Sequence, residues 1–363
     1  MQLAKFVSLR FAKVLSQLYD NFMNVNDTAL ADSGIFGLNF TENEAQLCLL
    51  PVPWEATTSY GNGAANGPEI IYNASHQVDL FDIETGTQYE KGYFMPEISQ
   101  DWLRESKKAK LHAQEVVSKI SEGLTPDVKS LAAVNSKSQE LNAWVFEKSQ
   151  AWLKQNKMVG LIGGDHSTPF GLIKALSEKH GKDFGILHLD AHADLRDAYQ
   201  GFEFSHASIM HNVITKINPK KLVQVGIRDF SPDENAFIEQ HKGQIKTYFD
   251  LPLKRRLFNG ESWQSLCNEI VSELPEKVYI SFDIDGLSPE YCPSTGTPVP
   301  GGLSFDQALC LFATLREHNK KIIGFDLNEV ASPDDLSAEW DGNVGARMLF
   351  KLCGWAMLSH SKK

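Results

Sequence analysis

The sequence lacks three features, and each absence argues against a class of protein. Its five cysteines are scattered and include no CxxC pair, so neither a thiolate zinc site nor a disulfide framework is indicated. No apolar run approaches the roughly 20 residues that a membrane-spanning helix needs. No basic run forms a phosphate-binding stripe, and 46 acidic against 35 basic residues give a formal charge of −11. We therefore expect a cytoplasmic protein without a membrane or nucleic-acid partner.

What the chain does contain is a series of short, continuous apolar runs separated by helical patterns. Runs that are apolar on both faces are typical of strands covered on both sides, which favours a parallel sheet sandwiched between helices. At 363 residues and 42% hydrophobic, the chain is long enough to bury a large core. The predicted strands are 46–52, 158–162, 184–190, 222–227, 278–285 and 321–330.

The first 44 residues are predicted to form an extension, largely helical, ahead of a single domain at 45–363. Apolar side chains recur there near helical spacing, which favours an amphipathic helix docked on the domain or on a neighbouring subunit. These side chains are Leu3, Phe6, Val7, Phe11 and Val14. The alternative is an organelle presequence, because basic residues precede the first acid.

Two helical regions can be delimited within the predicted domain. Residues 104–156 have a helical pattern, and we interpret their apolar stripe as core packing. A shorter helix follows the segment GGDHS: Ser167 or Thr168 can cap it, and Pro169 suits its first turn. Gly181 can end this helix.

Acidic and imidazole side chains follow three of the predicted strands, at the point where each strand ends. Because ligands of open α/β sheets bind beyond the carboxyl ends of the strands, these side chains are expected to converge on one edge. They are Asp165, His166, Asp190, His192, Asp194, Asp283 and Asp285.

Carboxylates and imidazoles this close together would be costly to bury unless positive charge lay among them. A pair of divalent cations meets that need. A ligand set of carboxylates and imidazoles without thiolate suits Mn²⁺ better than a closed structural zinc site. Two metals about 3.5–4 Å apart can generate a nucleophilic hydroxide at neutral pH, which predicts a hydrolase.

Three segments also resemble the signature motifs of a known family. They are GGDHS at 163–167, DAHAD at 190–194 and SFDIDGLSPEYCPSTGTPVPGG at 281–302, and they are similar to those of the ureohydrolases. That family includes arginase, agmatinase and formiminoglutamase, and the agmatinase-like members match the pattern best. The resemblance implies an α/β fold, the three-layer α/β/α sandwich of arginase with a mostly parallel central sheet. It also implies a centre of two Mn²⁺ ions, with Ni²⁺ as the alternative metal.

The resemblance implies six metal ligands shared between the two ions. One ion would be bound by His166, Asp190, Asp194 and Asp283. The other would be bound by His192, Asp285 and the bridging carboxylates of Asp190 and Asp283.

Three further roles follow from the same resemblance. Glu329, in DLNEVASP, corresponds to the carboxylate that pairs with the substrate guanidinium, whose planar donor fork two carboxylate oxygens match. His206, in FEFSHASIM, corresponds to a proton-shuttling histidine, and imidazole ordinarily titrates in the range that this role needs. Asp194 could also relay a proton to the departing amine. Asp165 is expected to orient its loop, and His188 is expected to be packed within its strand.

Substrate choice is predicted from two loops. The loop LRDAYQGFEFS lacks the Ser/Asn segment by which arginases recognise an amino acid head group. Asp197 and Glu203 favour a substrate with a second positive charge, such as agmatine. Arg196 in the same loop could instead attract a carboxylate, which keeps formiminoglutamate open. Trp54 and Thr57, in PWEATTSYGNGAANGP, are candidates for the substrate mouth.

We therefore predict a di-manganese hydrolase of polyamine metabolism that converts agmatine to putrescine and urea. Guanidinase, formiminoglutamase, arginase and guanidinobutyrase activities are the enzymatic alternatives. A catalytically silent binding or regulatory relative is the non-enzymatic alternative, and it is disfavoured because all the implied ligands, Glu329 and His206 are present. The trimers and hexamers of the family imply a homo-oligomer.

Overall fold

A computed structural model describes residues 29–30, 33–58, 61–331 and 339–361 of the chain. Its strands are β1 (Leu47–Pro51), β2 (Tyr93–Phe94), β3 (Met158–Ile162), β4 (Gly185–Leu189), β5 (Lys221–Ile227), β6 (Ile245–Phe249), β7 (Lys277–Asp283) and β8 (Lys321–Asn328). They form one sheet in the order β2-β1-β3-β8-β7-β4-β5-β6, and every pairing is parallel. The predicted mostly parallel sheet is confirmed.

Helices connect the strands and cover the sheet. In the described residues they are α1 (Gly67–Ser75), α2 (Gln100–Ser121), α3 (Val128–Lys154), α4 (Phe170–His180), α5 (Ile209–Asn212), α6 (Pro232–Gln240), α7 (Asp250–Phe258), α8 (Trp263–Ser272), α9 (Phe305–Glu317) and α10 (Trp340–Ser359). Several begin at recognisable caps: Ser304 and Gln307 form a capping box at the start of α9. None of these helices combines the length and apolarity needed to cross a membrane.

The sheet separates two apolar cores. Alternate residues of a strand point to opposite faces, so Leu47 and Leu49 of β1 enter one core and Cys48 and Leu50 enter the other. The first core also contains residues of α1, α8, α9 and α10, and the second contains residues of α2, α3, α4 and α6. The molecule is therefore a three-layer α/β/α sandwich, as predicted.

Four details differ from the sequence prediction. The region 104–156 is two helices, because the chain breaks at 122–127, where Gly123 and Pro126 occur. The helix α4 has Pro169 at its N-cap and no side-chain cap, since the Thr168 hydroxyl donates to Asn328 instead. The strands β2 and β6 were not predicted. Both lie at edges of the sheet, and β6 is only partly buried.

The predicted N-terminal helix lies outside the described residues. The last part of the predicted extension is described, and it packs into the first core through Ile35, Phe36 and Leu38. Phe36 has a φ of 58° in a short 3-10 turn. Its amide donates to Ser75 Oγ at the end of α1. This stretch of the extension therefore belongs to the packed body of the protein.

Candidate metal centre

The four strands in the middle of the sheet end in polar loops on one edge. These strands are neighbours in the order β3-β8-β7-β4, so the loops that follow them lie side by side. Six side chains at the ends of β3, β4 and β7 or in the loops that follow form what we call the ligand cluster. They are His166, Asp190, His192, Asp194, Asp283 and Asp285. Five of the six are buried, and His192 is partly exposed. The seventh residue of interest, Glu329, directly follows β8.

One half of the ligand cluster surrounds a single nitrogen. The Nδ1 atom of His166 lies 3.0 Å from Asp190 Oδ2, 3.3 Å from Asp194 Oδ2 and 3.2 Å from Asp283 Oδ2. These four atoms come from three different loops. An imidazole nitrogen and three carboxylate oxygens at such spacing form the ligand set of a divalent cation.

The other half is centred on His192. Its Nδ1 lies 3.0 Å from Asp285 Oδ2 and 3.5 Å from Asp190 Oδ1. The carboxylate of Asp190 therefore turns one oxygen to each half of the ligand cluster. This is the arrangement expected of a carboxylate that bridges two cations.

The electrostatics of the ligand cluster indicate missing positive charge. Burial, together with the Asp190 charge, raises the pKa of Asp194 to about 7. Burial and the charges of Asp285 and Asp190 raise the pKa of Asp283 well above its usual range. Burial acts to lower the pKa of His166, but hydrogen bonds with three carboxylates outweigh it and raise that pKa. Divalent cations would replace these retained protons, so the residues fit a pair of such ions.

The loop after β3 is held by close packing and by Asp165. A Cβ atom on Gly163 would lie 1.7 Å from Asn328 Oδ1, and one on Gly164 would lie 1.9 Å from the carbonyl oxygen of Trp54. Only glycine fits either position. Asp165 accepts hydrogen bonds from the amides of Ser167 and Ala56, so it orients the loop and binds it to the neighbouring one.

Glu329 provides a buried carboxylate next to this loop. Its Oε1 accepts the backbone amide of His166 at 2.9 Å. A Cβ on Gly296 would lie 3.6 Å from Oε2, at ordinary van der Waals distance, so the loop of Gly296 borders that oxygen. Burial and the charge of Asp165 raise the pKa of Glu329 well above its usual range. Within the described residues Glu329 forms no salt bridge, which leaves it available to a cationic ligand.

Two of the candidate catalytic residues have strained backbones. Asp194 has a φ of 54° and Glu329 has a φ of 63°, in the left-handed region that non-glycine residues rarely occupy. Such strain costs on the order of 1–3 kcal/mol and persists where surrounding contacts impose it. At Glu329 two hydrogen bonds impose the strain. Its backbone amide donates to the carbonyl oxygen of Gly164 at 2.8 Å, and the Thr295 hydroxyl donates to the carbonyl oxygen of Glu329 at 2.9 Å.

His206 and Thr57 lie together beside the ligand cluster. The Nδ1 atom of His206 is 3.4 Å from Thr57 Oγ1. Burial, with His192 and His166 nearby, lowers the pKa of His206 to about 3. This pKa therefore lies below the range of an ordinary imidazole, first because the ring is removed from water and then because two histidines lie nearby. His206 is neutral at physiological pH.

A pocket of about 160 Å³ opens onto His206 and part of the ligand cluster. Its lining includes His192, Asp194, Tyr199, His206, Asp229 and Phe230. Asp229 was not singled out from the sequence, although its exposed carboxylate follows β5 on the same edge. Arg196 also lines the pocket, where its guanidinium lies over the Tyr199 ring at 4.9 Å and near Glu234 at 3.6 Å.

Three residues that were predicted to contact the substrate belong neither to the ligand cluster nor to the lining of this pocket. Trp54 is completely buried and packs edge-on against Trp102, so the expectation that it lines the substrate mouth is wrong. Its indole contributes to the second apolar core instead. Glu203 forms an ion pair with Lys216 at 2.7 Å. The Asp197 side chain is 95% exposed and lies 3.7 Å from His211.

Sequence reasoning missed the hydrogen-bonding partners behind the ligand cluster. His188 Nε2 lies 2.8 Å from Asp190 Oδ2, and Ser281 Oγ lies 2.9 Å from His166 Nε2. Ser281 in turn contacts Asp326 Oδ1 at 3.1 Å. One signal was available: His188 is two residues before Asp190, so both side chains point to the same face of the chain.

Comparisons with known proteins agree with this geometry. The sequence model of the arginase family matches residues 45–354. An N(1)-aminopropylagmatine ureohydrolase of Thermus thermophilus is 34% identical over 307 residues, covering 84% of this chain and 89% of the relative. A protein of the same name from Synechocystis is 28% identical over 323 residues, covering 88% of this chain and 92% of the relative.

A solved structure supports the same fold. The crystal structure of agmatine ureohydrolase of Thermoplasma volcanium superposes with a TM-score of 0.68, covering 94% of this chain and 98% of that one, at 21% sequence identity. Taken with the family match over most of the chain and the buried His/Asp site, these findings establish the class of the protein. The chain belongs to the arginase family and is a hydrolase of the ureohydrolase type.

Proposed function

We propose that this enzyme hydrolyses the guanidino group of a linear amine, with agmatine as the substrate and putrescine and urea as the products. The observation that carries the proposal is the position of Glu329. Its buried carboxylate accepts the His166 amide through Oε1, has no salt-bridge partner among the described residues, and directly follows β8, the strand between β3 and β7. A guanidinium ion supplies the charge and the planar donors that such a carboxylate needs.

We assign the ligand cluster to two Mn²⁺ ions, with Ni²⁺ as the alternative. His166, Asp190, Asp194 and Asp283 would hold one ion. His192 and Asp285, with Asp190 and Asp283 as bridges, would hold the other. When bound, the pair of ions supplies an activated water nucleophile and neutralises the charge that develops at the reacting carbon.

The reaction joins a water oxygen to the guanidinium carbon and breaks one carbon–nitrogen bond. Glu329 would orient the guanidinium so that its carbon faces the ligand cluster. Asp194 lies between His166 and the pocket, so it can take the proton lost by water and pass it to the departing amine. His206 lies partly exposed on the pocket wall, and with its depressed pKa it would hold a proton only transiently before releasing it to solvent.

Charges at the pocket favour a cationic tail over a carboxylate tail. Arg196, the cation expected to attract a carboxylate, is engaged with Glu234 and Tyr199. The carboxylates of Asp197 and Asp229 remain exposed on the same side. This arrangement supports agmatine and its aminopropyl derivative, the compound named for the T. thermophilus relative, over formiminoglutamate, arginine and guanidinobutyrate. Free guanidine, which has no tail, would leave these acids unused.

A product screen tests the proposal. The Mn²⁺-loaded protein is incubated with agmatine, N(1)-aminopropylagmatine, arginine, guanidine and guanidinobutyrate, and urea is measured; formamide release from formiminoglutamate is measured in parallel. We expect the highest kcat/KM for agmatine or its aminopropyl derivative. Preference for guanidine or for a carboxylate-bearing substrate contradicts the assignment. Absence of product from every compound, in protein that binds Mn²⁺, supports the silent binding relative instead.

We also infer a cytoplasmic homo-oligomer, a trimer or a hexamer. All five cysteines are free, and four of them are buried, which suits a reducing compartment. Light scattering of the purified protein tests the assembly, and a monomer at micromolar concentration would contradict it. Fractionation of the source cells tests the compartment.

A further inference from the structure

His188 belongs to a hydrogen-bonded chain of four side chains, which runs from Asp190 through His188 and Gln224 to Thr247. Its Nε2 is 2.8 Å from Asp190 Oδ2, and its Nδ1 is 3.1 Å from Gln224 Nε2. The same Gln224 nitrogen lies 2.8 Å from the carbonyl oxygen of Ala193, and Gln224 Oε1 lies 2.9 Å from the Thr247 hydroxyl. His188 and Gln224 are fully buried on the neighbouring strands β4 and β5.

These contacts fix where the His188 proton resides. A carbonyl oxygen only accepts hydrogen bonds, so the group of Gln224 that faces Ala193 must be its NH₂. The second hydrogen of that NH₂ points to His188 Nδ1, which must therefore present a lone pair. The ring proton is left on Nε2, where it faces the carboxylate of Asp190. His188 lies close to the ligand atoms of His166, Asp190 and Asp194. Its Nε2 carries the ring proton and the lone pair of its Nδ1 accepts from Gln224, so neither nitrogen is free to bind a metal.

We propose that His188 is a positioning residue that holds Asp190 in its bridging orientation by donating Nε2–H to Oδ2. The inference rests on the proposed two-metal function. The other oxygen of Asp190 is held in the same way, because Oδ1 accepts the amide of His192 at 2.6 Å. Each oxygen is thus anchored by a donor that is not itself a metal-binding atom. Each keeps a second lone pair for one half of the ligand cluster.

The physical need for this anchor comes from the carboxylate torsion. The χ2 angle of aspartate is broad, so an unanchored carboxylate samples orientations in which its oxygens do not face both metal positions. A fixed donor on each oxygen removes that freedom before the ions arrive. His188 therefore acts through Asp190 and touches neither substrate nor metal.

Metal binding by two variants tests the inference. In His188→Leu the donor is lost at similar volume, whereas in His188→Gln a side-chain NH₂ can still reach Asp190. Mn²⁺ is titrated into metal-stripped full-length protein and the free ion is measured by electron paramagnetic resonance. We expect two ions per wild-type chain, an affinity lowered about 10–100-fold in His188→Leu, and an affinity within about threefold of wild type in His188→Gln.

Two controls separate positioning from folding. His211→Leu changes a histidine whose side chain contacts none of the ligand cluster, and we expect wild-type affinity. The thermal midpoints of metal-free His188→Leu and His188→Gln should agree, so that their difference in affinity does not arise from unfolding. Wild-type affinity in His188→Leu overturns the inference, and so does equal weakness of both His188 variants with matching midpoints. If the wild-type protein binds no Mn²⁺, the proposed function itself fails.

A spectroscopic measurement tests the tautomer independently of metal. In metal-free protein labelled with ¹⁵N-histidine, the His188 resonances are assigned as those missing from His188→Gln. We expect Nε2 to have the shift of a protonated nitrogen and Nδ1 the shift of an unprotonated one. A protonated Nδ1 with a bare Nε2 would overturn the inference, because Nε2 would then repel Asp190 or bind metal directly.

Discussion

The two ends of the strands in the central sheet differ in how charged side chains are neutralised. We call the side where the strands end the carboxyl edge, and the side where they begin the amino edge. At the carboxyl edge, the ligand cluster and Glu329 form no ion pair with any lysine or arginine of the described residues. At the amino edge, lysine ammonium groups are bound by main-chain carbonyls: the buried Lys157 donates to Ala45 O at 3.0 Å, and Lys179, an exposed residue, donates to Leu153 O at 2.8 Å. Lys320 donates to the carbonyl of Leu274 in the same manner.

The difference separates a stabilising edge from a functional one. A buried cation with fixed acceptors contributes to folding, because its desolvation is compensated within the chain. A cluster of buried acids without fixed cations opposes folding until a ligand neutralises it. The ligand cluster and Glu329 therefore retain unmet charge for ions and substrate, whereas the buried ammonium of Lys157 is paired within the chain. The following five changes test this contrast, in order of decreasing expected effect.

Asp283→Asn should have the largest effect. It removes one charge and one candidate oxygen ligand beside His166 Nδ1, so we expect loss of bound Mn²⁺ and a fall in turnover of at least about 10³-fold, or about 4 kcal/mol of barrier. Metal content and urea release measure these losses, and circular dichroism should show an intact fold. Asp306→Asn, an exposed aspartate in the first turn of α9, is the control. Near-normal turnover of Asp283→Asn would defeat the assignment.

Glu329→Gln should lower kcat/KM by about 10²-fold, since it removes a charge-assisted hydrogen bond worth about 1.5–3 kcal/mol. Mn²⁺ content should not change, because Glu329 is not a ligand. The free energy of unfolding should stay equal or rise, since a buried, unpaired charge is removed. Steady-state kinetics and denaturant titration measure the two quantities. A loss of metal would instead make Glu329 a ligand.

Lys157→Met tests the amino edge. We expect the free energy of unfolding to fall by about 2 kcal/mol, because the carbonyls of Glu42 and Ala45 lose a charged donor. The kcat/KM should remain at the wild-type value, since the residue lies at the edge opposite the ligand cluster. Lys321→Met is the control: its exposed pair with Glu276 should contribute less than about 1 kcal/mol. Equal stability of the two variants would remove the contrast between the edges.

Added Mn²⁺ should stabilise the protein more at about pH 8 than at about pH 6. Asp194 has a raised pKa of about 7, so it is largely protonated at the lower pH and must lose that proton to bind an ion. A raised acid pKa also means that metal-free stability falls as pH increases through about 7. The proton that an ion must displace at about pH 6 is already lost at about pH 8, so the gain is larger at the higher pH by about 1 kcal/mol. Thermal melting with and without Mn²⁺ measures it, and a smaller gain at the higher pH would contradict the sign.

Asp197→Asn should have the smallest effect. The exposed carboxylate attracts a cationic tail only through screened Coulomb energy, so we expect KM for agmatine to rise about two- to fivefold with kcat unchanged. The difference should vanish at high salt. Asp183→Asn, an exposed acid at the amino edge paired with Lys220, should leave KM unchanged. An effect of Asp197→Asn on kcat would indicate a different role for this loop.

Much of the fold follows from local patterns in the sequence. Six continuous apolar runs predicted six strands to within about three residues, because strands covered on both faces need apolar residues at every position. The edge strand β6 was not predicted, because the polar residues Lys246 and Thr247 interrupt its apolar run. The break between α2 and α3 had a visible signal in Gly123 and Pro126, which was outweighed by the apolar stripe on either side.

The residues of the candidate site differed in how well the sequence predicted their positions and properties. Asp190, His192 and Asp194 could be identified because charged residues next to an apolar strand are costly without a ligand. Trp54 was misplaced, because a loop aromatic gives no sign in the sequence of whether it faces solvent or a neighbouring helix. His206 was identified, but its depressed pKa depends first on burial and then on two histidines from other parts of the chain.

The sequence by itself determined that this protein is a parallel α/β hydrolase whose acids and imidazoles gather at the carboxyl edge, because strand ends and residue chemistry are local properties. Only the tertiary structure decided how those groups divide into two halves, and which of the nearby histidines is a ligand and which is a donor. The proton on His188 is set by Gln224, Ala193 and Thr247, which belong to three separate segments. Hydrogen-bond direction depends on which groups meet in space, and no local pattern in the chain encodes that meeting.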